Sequence, residues 1–462
     1  MAKLVIPERI YQQAHNHLLN DESERLAFLL CNIGWAQGHP IFLATDIFPM
    51  KDTDLAGPSR FGLDLRLEPL LTVINRAIKD EMALVEAHSH PFSDYPAFSP
   101  SDKRGFREFV PYIIDSIKGK PYGATIWGKQ GVAGVCWSTW PQKEQELQVT
   151  VVGDTLAVFN HQINSGHSEH SDMQRYERQI RAFGREMQPR ISSLKVGVVG
   201  LGGTGSHIAQ QLAYLGVKDL VLIDSQLVED TNLNRLVGAT PKDVGKPKVK
   251  VIGSWVSRIS PKAKVQPIHA DLRNSAVFDA LKVTDVIFGC VDNDGARLIL
   301  NELSLAYLVP LIDCGVEIEV EGQQILQAGG RVNLVLPGGP CLACMEQINL
   351  GEARITLSQP EEIHRARQMG YIQGDDEPSP SVVSLNGVVA SLAVTEFLNL
   401  ITGTRPPQPF AVYDVLGTGR GRDAQWVVRQ KAERVECCFE CSLTGVGDAV
   451  NLERYVIEEK SQ

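Results

Sequence analysis

The chain has 462 residues, 43% of them apolar, and a formal net charge of −10. That length predicts two or three domains, each with room for its own core. A mildly acidic balance excludes a broad electrostatic footprint for nucleic acid or an anionic membrane.

The N-terminal stretch Met1–Arg9 turns charged within a few residues, unlike a secretory signal. No apolar run reads as long enough to span a bilayer. Nine cysteines, four of them in two Cys-x-x-Cys pairs, fit a reducing cytoplasm and a metal site better than a disulfide scaffold. The expectation is a cytoplasmic protein with no nucleic-acid partner and no membrane partner.

The first unit is expected over residues 1–160. Pro7 to Asn20 has helical spacing, Leu26 to Cys31 reads as a strand, Leu67 to Asp80 as a helix and Met82 to Ala87 as the next strand. Pro91 to Pro100, rich in Pro, Ser and Phe, is a loop. Residues 161–173 hold His161, His167 and His170 in an almost entirely polar tract and read as a solvated linker. The second unit, 174–462, alternates strand-like runs (Lys195–Val199, Leu220–Asp224, Val286–Cys290, Val309–Cys314) with helix-like ones (Ser206–Leu215, Lys248–Ser257, Ala296–Tyr307). That alternation predicts an α/β unit with a mostly parallel sheet covered by helices.

One constellation in the first unit carries chemistry. His88 and His90 are separated by one residue at a strand end, so both imidazoles point to one side. Asp102, at the start of the helix after the loop, can complete a three-ligand catalytic zinc site. A carboxylate must still take the proton of the water and deliver it to a leaving amine. Glu24 is the candidate, with Glu22 as the alternative of poorer spacing. Ser99 is placed to donate to a developing oxyanion. The string His88-Ser89-His90-Pro91, seven residues, then Ser99-Pro100-Ser101-Asp102 resembles the JAMM (MPN-type) metalloisopeptidase motif. Glu24-Arg25-Leu26-Ala27-Phe28-Leu29-Leu30-Cys31 is similar to that family's upstream segment. The resemblance implies a mixed α/β, cytidine-deaminase-like fold and a zinc hydrolase that cuts a peptide or isopeptide bond.

In the second unit, Val196–Val199 runs into Gly200-Leu201-Gly202-Gly203-Thr204-Gly205 and then a helix. Such glycines permit a tight turn and close phosphate approach, and the helix N-terminus favours the anion. Asp224 ends the next strand, where a carboxylate would meet ribose hydroxyls. To this point an NAD-linked oxidoreductase fits equally well. Asn232-Leu233-Asn234-Arg235, Lys248 and Asp292-Asn293, with Arg178 upstream, argue for different chemistry. Hydride transfer needs none of these cations. Attack of a carboxylate on the α-phosphate of ATP builds charge that Arg, Lys and Mg²⁺ offset.

These motifs resemble the ThiF-type adenylyltransferase fold shared by ubiquitin-activating enzymes and the sulfur-carrier activators of molybdopterin and thiamine synthesis. The resemblance runs from about Arg175 to Cys441 and implies a Rossmann-like unit. It would put Asp224 on ribose and Asn232, Arg235 and Lys248 on the phosphates. Asp292 would hold Mg²⁺ or orient the carboxylate. Arg178 would reach the γ-phosphate of a neighbouring subunit's ATP, which implies a homodimer. Cys341-x-x-Cys344 and Cys438-x-x-Cys441 match a tetrahedral site for structural zinc, with Cys437 one residue out of register.

Met345 to Leu385 contains no cysteine, although enzymes that carry a ubiquitin-like protein onward as a thioester have one in this region. Two outcomes stay open: adenylation alone, or an oxyester on Ser379, Ser381 or Ser384. Serine is a poor nucleophile without activation. The two units together lead to the expectation of a bifunctional enzyme of a bacterial ubiquitin-like pathway. It would process or deconjugate a small β-grasp protein with zinc, and adenylate that protein's C-terminal glycine with Mg-ATP for a conjugating partner. Sulfur-carrier activation for cofactor or cysteine biosynthesis is the alternative. The absence of a visible sulfurtransferase unit tilts the sequence reading toward conjugation.

Overall fold

The computed structural model describes residues 1–59, 62–159, 174–358, 365, 380–418, 425–430 and 432–457. The expected linker 161–173 and Ser379 lie outside the described residues.

The first unit comprises Met1–His170 with two short later segments, Ala306–Leu308 and Gly445–Val450. The sequence reading had placed both segments wholly in the second unit. They join the first because of specific contacts: Asn32 Nδ2 donates to Gly445 O at 2.8 Å, and Trp35 N donates to Asp448 Oδ2 at 2.9 Å. A Cβ on Gly34 would stand 2.5 Å from the Tyr307 ring, so only glycine fits there.

The strands of this unit are β1 (Ala2–Pro7), β2 (Leu26–Ala36), β3 (His39–Pro49), β4 (Leu55–Ser59), β5 (Gly62–Leu65), β6 (Ala83–Ser89), β7 (Tyr122–Trp127), β8 (Val132–Trp137), β9 (Gln145–Val152) and β10 (Leu156–Phe159). Its main sheet runs β1-β3-β2-β6-β7-β8-β9-β10, and β1 also pairs with β9, so the sheet closes on itself. Closure through β9 pairs both sides of β1, and β10, paired with β9, is left as an edge. The helices are α1 (Glu8–Leu18), α2 (Leu67–Lys79) and α3 (Pro100–Ser116).

The period of two explains why β2 is apolar throughout. Ala27, Leu29 and Cys31 enter one core with Ile10, Ala14 and Leu18 of α1. Leu26, Phe28 and Leu30 enter a second core with Val73 of α2 and Val110 of α3. A strand covered on both faces reads as a continuous hydrophobic run, and each such fully buried side chain contributes about 1.5–3 kcal/mol. The same alternation along β6 sends Val85 and Ala87 to the first core, and leaves Leu84, Glu86 and His88 on the opposite face.

The second unit has β11 (Lys195–Val199), β12 (Asp219–Ile223), β13 (Lys264–Ile268), β14 (Val286–Gly289), β15 (Leu311–Glu321), β16 (Gln324–Val335), β17 (Phe410–Thr418) and β18 (Gln425–Gln430). The order is β13-β12-β11-β14-β15-β16-β17-β18. Pairing is parallel from β13 to β15. It is antiparallel from β15 to β18. The sheet is therefore mixed, with four parallel pairings against three antiparallel ones. The expectation missed β16–β18: β15–β16 and β17–β18 are joined without a crossover helix, and β16 pairs with β17 across residues 336–409.

Its helices include α4 (Glu177–Phe183), α5 (Met187–Ser193), α6 (Gly203–Leu215), α7 (Lys248–Ile259), α8 (Ser275–Lys282), α9 (Asp294–Tyr307), α10 (Leu350–Leu357) and α11 (Val383–Thr402). Helix α11 corrects the statement that no run is long enough to span a bilayer. Its 20 residues reach a mean hydropathy of 1.4, but 61% of that window is buried inside the protein. That is the profile of a largely buried core helix, with Ser384, Ser391 and Thr395 left exposed along one face.

Candidate functional site

In the first unit the ligand atoms of His88, His90 and Asp102 all lie within 4.8 Å of one another. His88 is the penultimate residue of β6, and the chain continues the strand past Ser89 by one bond, His90 N donating to Trp127 O at 2.8 Å. The period of two thereby carries both imidazoles to one side. Asp102 arrives from the first turn of α3. Ser99 caps that helix: its Oγ accepts from Asp102 N at 3.2 Å, while Ser99 N donates to Asp102 Oδ2 at 2.6 Å. Asp102 Oδ1 is left facing His88 Nε2 at 3.8 Å.

His88 Nδ1 meets Glu86 Oε1 at 3.2 Å, and His88 Nε2 is buried with no hydrogen-bond partner. A buried nitrogen without a partner costs free energy unless something occupies its lone pair. The donor set and the orphaned nitrogen fit a divalent metal. Without one, burial disfavours a charged His88, but Asp102 and Glu86 outweigh it and raise the imidazole to about 9. Burial raises Asp102, yet His88 and the Ser99 backbone hold it down to about 2. Glu24 Oε1 stands 3.6 Å from His90 Nε2, whereas Glu22 is exposed.

The second unit holds a cleft of about 790 Å³. Gly200, Gly202, Gly203, Asp224, Arg235, Lys248 and Asp292 all line it. Gly200 takes a φ of +84°, in the left-handed region that favours glycine. A Cβ on Gly205 would come within 1.9 Å of Gly200 O, so the loop can close against α6 only with glycine there. The α6 N-terminus thus opens into the cleft, where its free N–H groups suit an anion.

Asp224, at the end of β12, accepts from Leu201 N at 2.6 Å and from Gln226 N at 2.7 Å. Its carboxylate fixes the glycine loop, and each oxygen keeps a lone pair. Lys248, the first residue of α7, is buried and donates to Gln226 Oε1 at 2.5 Å. Arg235 donates to Thr231 O at 2.7 Å. Asn232 caps the turn Asp230–Asn232 by accepting from Glu229 N at 3.2 Å, and is not among the cleft-lining residues. Arg178 is exposed on α4 and is likewise not among them.

Cys341, Cys344, Cys438 and Cys441 place their sulfurs within 4.8 Å of one another, while Cys437 is exposed outside the cluster. Pairs approach at 3.7, 3.8 and 3.4 Å. Zn–S bonds of ~2.3 Å in a tetrahedron require sulfurs about 3.8 Å apart. Burial pushes the Cys344 thiol up, but Val435 N–H and Cys341 N–H overcome it and bring it down to about 7.

The ThiF family model matches residues 176–435, more than half of the chain. The chain belongs to the ThiF family. It is 34% identical over 177 residues to the SAMP-activating enzyme E1 of Haloferax volcanii, covering 38% of this chain and 62% of that protein. The molybdopterin-synthase adenylyltransferase of Escherichia coli is 29% identical over 249 residues, 53% of this chain and 89% of its own length. Escherichia coli MccB with ATP superposes over 62% of this chain and 76% of its own at 21% identity, with a TM-score of 0.44, a likeness too loose to argue from.

Two further groups in this ThiF-family cleft escaped the sequence reading. Arg297, buried on α9, donates to Asp294 Oδ1 at 3.0 Å and to Val291 O at 3.2 Å, and lies 3.6 Å from the wholly buried Asp313. Its spacing of five from Asp292 was a usable signal. Asn386 of α11 joins Thr204 (3.1 Å) to Ser381 (3.0 Å) at the edge of the glycine loop. It stands 182 residues from Thr204 in sequence, and nothing local announces it.

Proposed function

We propose that the second unit adenylates the C-terminal carboxylate of a small sulfur-carrier-type β-grasp protein. The observation that carries this reading is the gathering of the glycine loop, Asp224, Arg235, Lys248 and Asp292 around one cleft. ATP would lie with its phosphates toward the α6 N-terminus, Arg235 and Lys248, and its ribose toward Asp224. The substrate carboxylate oxygen forms a bond to the α-phosphorus as the bond to pyrophosphate breaks. Arg235 and Lys248 offset charge on the leaving group, and Asp292 orients the carboxylate or holds Mg²⁺. Arg178 would act on a second subunit's ATP. The names of the relatives favour sulfur-carrier activation over the conjugation that the sequence reading preferred.

The test is ATP–pyrophosphate exchange with a β-grasp protein ending in Gly-Gly, followed by mass spectrometry. Exchange and a carrier heavier by AMP are expected. Nicotinamide binding without exchange would overturn the reading in favour of an oxidoreductase.

A second activity is favoured by the orphaned His88 Nε2. His88, His90 and Asp102 would hold zinc in the first unit, as the JAMM resemblance implies, and the four-cysteine cluster would hold a structural zinc. Zinc held by His88, His90 and Asp102 would supply Lewis acidity and a lowered water pKa. Glu24 takes the proton from water and passes it to the leaving amine. The Ser99 hydroxyl, accepting from Asp102 N, still has its own proton to donate to the oxyanion. The unit would trim residues beyond the carrier's terminal glycine or release the carrier from a target. A carrier with a C-terminal extension should be shortened by the wild type and left intact by Glu24→Gln. We read both reactions as cytoplasmic.

A further inference from the structure

We infer that Glu86 is a positioning residue for the first-unit metal site, working as the middle of a chain His88–Glu86–Tyr122. The inference rests on the metal reading of His88, His90 and Asp102. Glu86 lies two residues before His88 on β6 and shares its face. Its two carboxylate oxygens are divided between two donors. Oε1 faces His88 Nδ1 at 3.2 Å, and Oε2 accepts from Tyr122 OH at 2.8 Å. Tyr122 is wholly buried on β7, in register with Leu84.

The backbone beneath is held as firmly. Thr125 Oγ1 donates to Glu86 O at 2.9 Å and receives Trp127 Nε1 at 3.0 Å. Glu86 itself pairs with Phe28 of β2 and with Ala124 of β7.

The consequence is a fixed tautomer. An acceptor at Nδ1 places the imidazole proton there and leaves the lone pair on Nε2. Nε2 is the nitrogen that lies buried without a partner. The carboxylate also sets the ring plane, because one oxygen is pinned by Tyr122 and cannot follow the ring. Carboxylates that hold metal-binding histidines in this way change metal affinity by about 10–100-fold when removed. Glu86 does not belong to the ligand cluster, so its contribution is made through His88.

Glu86→Gln isolates this effect. The glutamine replaces one accepting oxygen with a donor and removes the negative charge, so either His88 loses its acceptor or Tyr122 must turn from donor to acceptor, with almost no change in volume. Zinc affinity is measured on the full-length chain by competition with a chromophoric chelator, and the His88→Ala variant identifies which bound equivalent belongs to this site. Expected for Glu86→Gln is about 10–100-fold weaker binding of that equivalent. The four-cysteine equivalent and the melting of the chelated protein should be unchanged, and the cobalt(II) d–d spectrum of the first site should shift. Unaltered affinity in Glu86→Gln overturns the inference while the metal reading stands. A wild type with no equivalent sensitive to His88→Ala overturns the metal reading and the inference with it. Should Glu86→Gln lose cooperative melting, Tyr122→Phe decides: it keeps the carboxylate and removes its anchor. Several-fold weaker zinc binding is then expected, and wild-type affinity overturns the inference.

Discussion

At the scale of single residues, the cleft is governed by what cannot be added or charged. Gly205→Ala forces a methyl to within 1.9 Å of Gly200 O. Overpacking of this kind costs about 1–3 kcal/mol or more, so a lowered melting temperature and lost pyrophosphate exchange are expected together. Lys248→Ala should act differently. Loss of a donor that meets developing charge costs about 10²–10³ in rate, and exchange should fall by that order while the fold survives. Glu440 offers a pH test. Its burial, and after that the neighbouring Glu302, push its carboxyl up to about 7, with Arg454 a partial offset. The folded state then holds the proton more tightly than the unfolded chain. Stability from this group is complete below the ordinary value of 4.5 and is lost as pH rises through about 7. Glu440→Gln should therefore melt like the wild type near pH 4.5 and above it by pH 7. A difference that stays flat across thermal melts in this range would refute the attribution.

At the scale of elements, α3 shows how one short string does two jobs. Ser99 and Asp102 form a reciprocal cap that starts the helix and leaves one Asp102 oxygen toward His88. Ser99→Ala should cost about 1 kcal/mol of stability, read by denaturant titration, in addition to any loss of hydrolysis. Both residues were legible in the sequence as site candidates three positions apart around a helix start, although the cap that joins them was not read. His88 and His90 were legible for the same reason, through the strand period. Glu86 obeys that period too, but a lone carboxylate two residues earlier carries no signal until Tyr122 is seen opposite. The parallel half of the second sheet was legible from alternating elements, whereas β16–β18 and Asn386 depend on long-range packing that no window of sequence contains. Asn232 looked like a phosphate ligand by its place in a motif. In the structure its side chain caps a turn, and it is not among the residues that line the cleft.

At the scale of the whole molecule, the described residues present two metal-capable clusters and a nucleotide-sized cleft. Metal analysis of the purified protein should return one zinc from each cluster, with His88→Ala removing one and a Cys341→Ser, Cys344→Ser pair removing the other. The first unit also has an unusual inventory, since it includes Ala306–Leu308 and Gly445–Val450. A fragment cut at residue 173 would lack both segments and leave Gly34, Asn32 and Trp35 without Tyr307, Gly445 and Asp448. It should melt at a lower temperature than the same residues do in the full chain. The order of synthesis gives this a further meaning. The ribosome delivers the amino-terminal strands early, but they must wait for almost the entire polypeptide to emerge before their last partners arrive. The unit begun first is completed only at Val450, so a chain interrupted anywhere before residue 445 leaves both units unfinished.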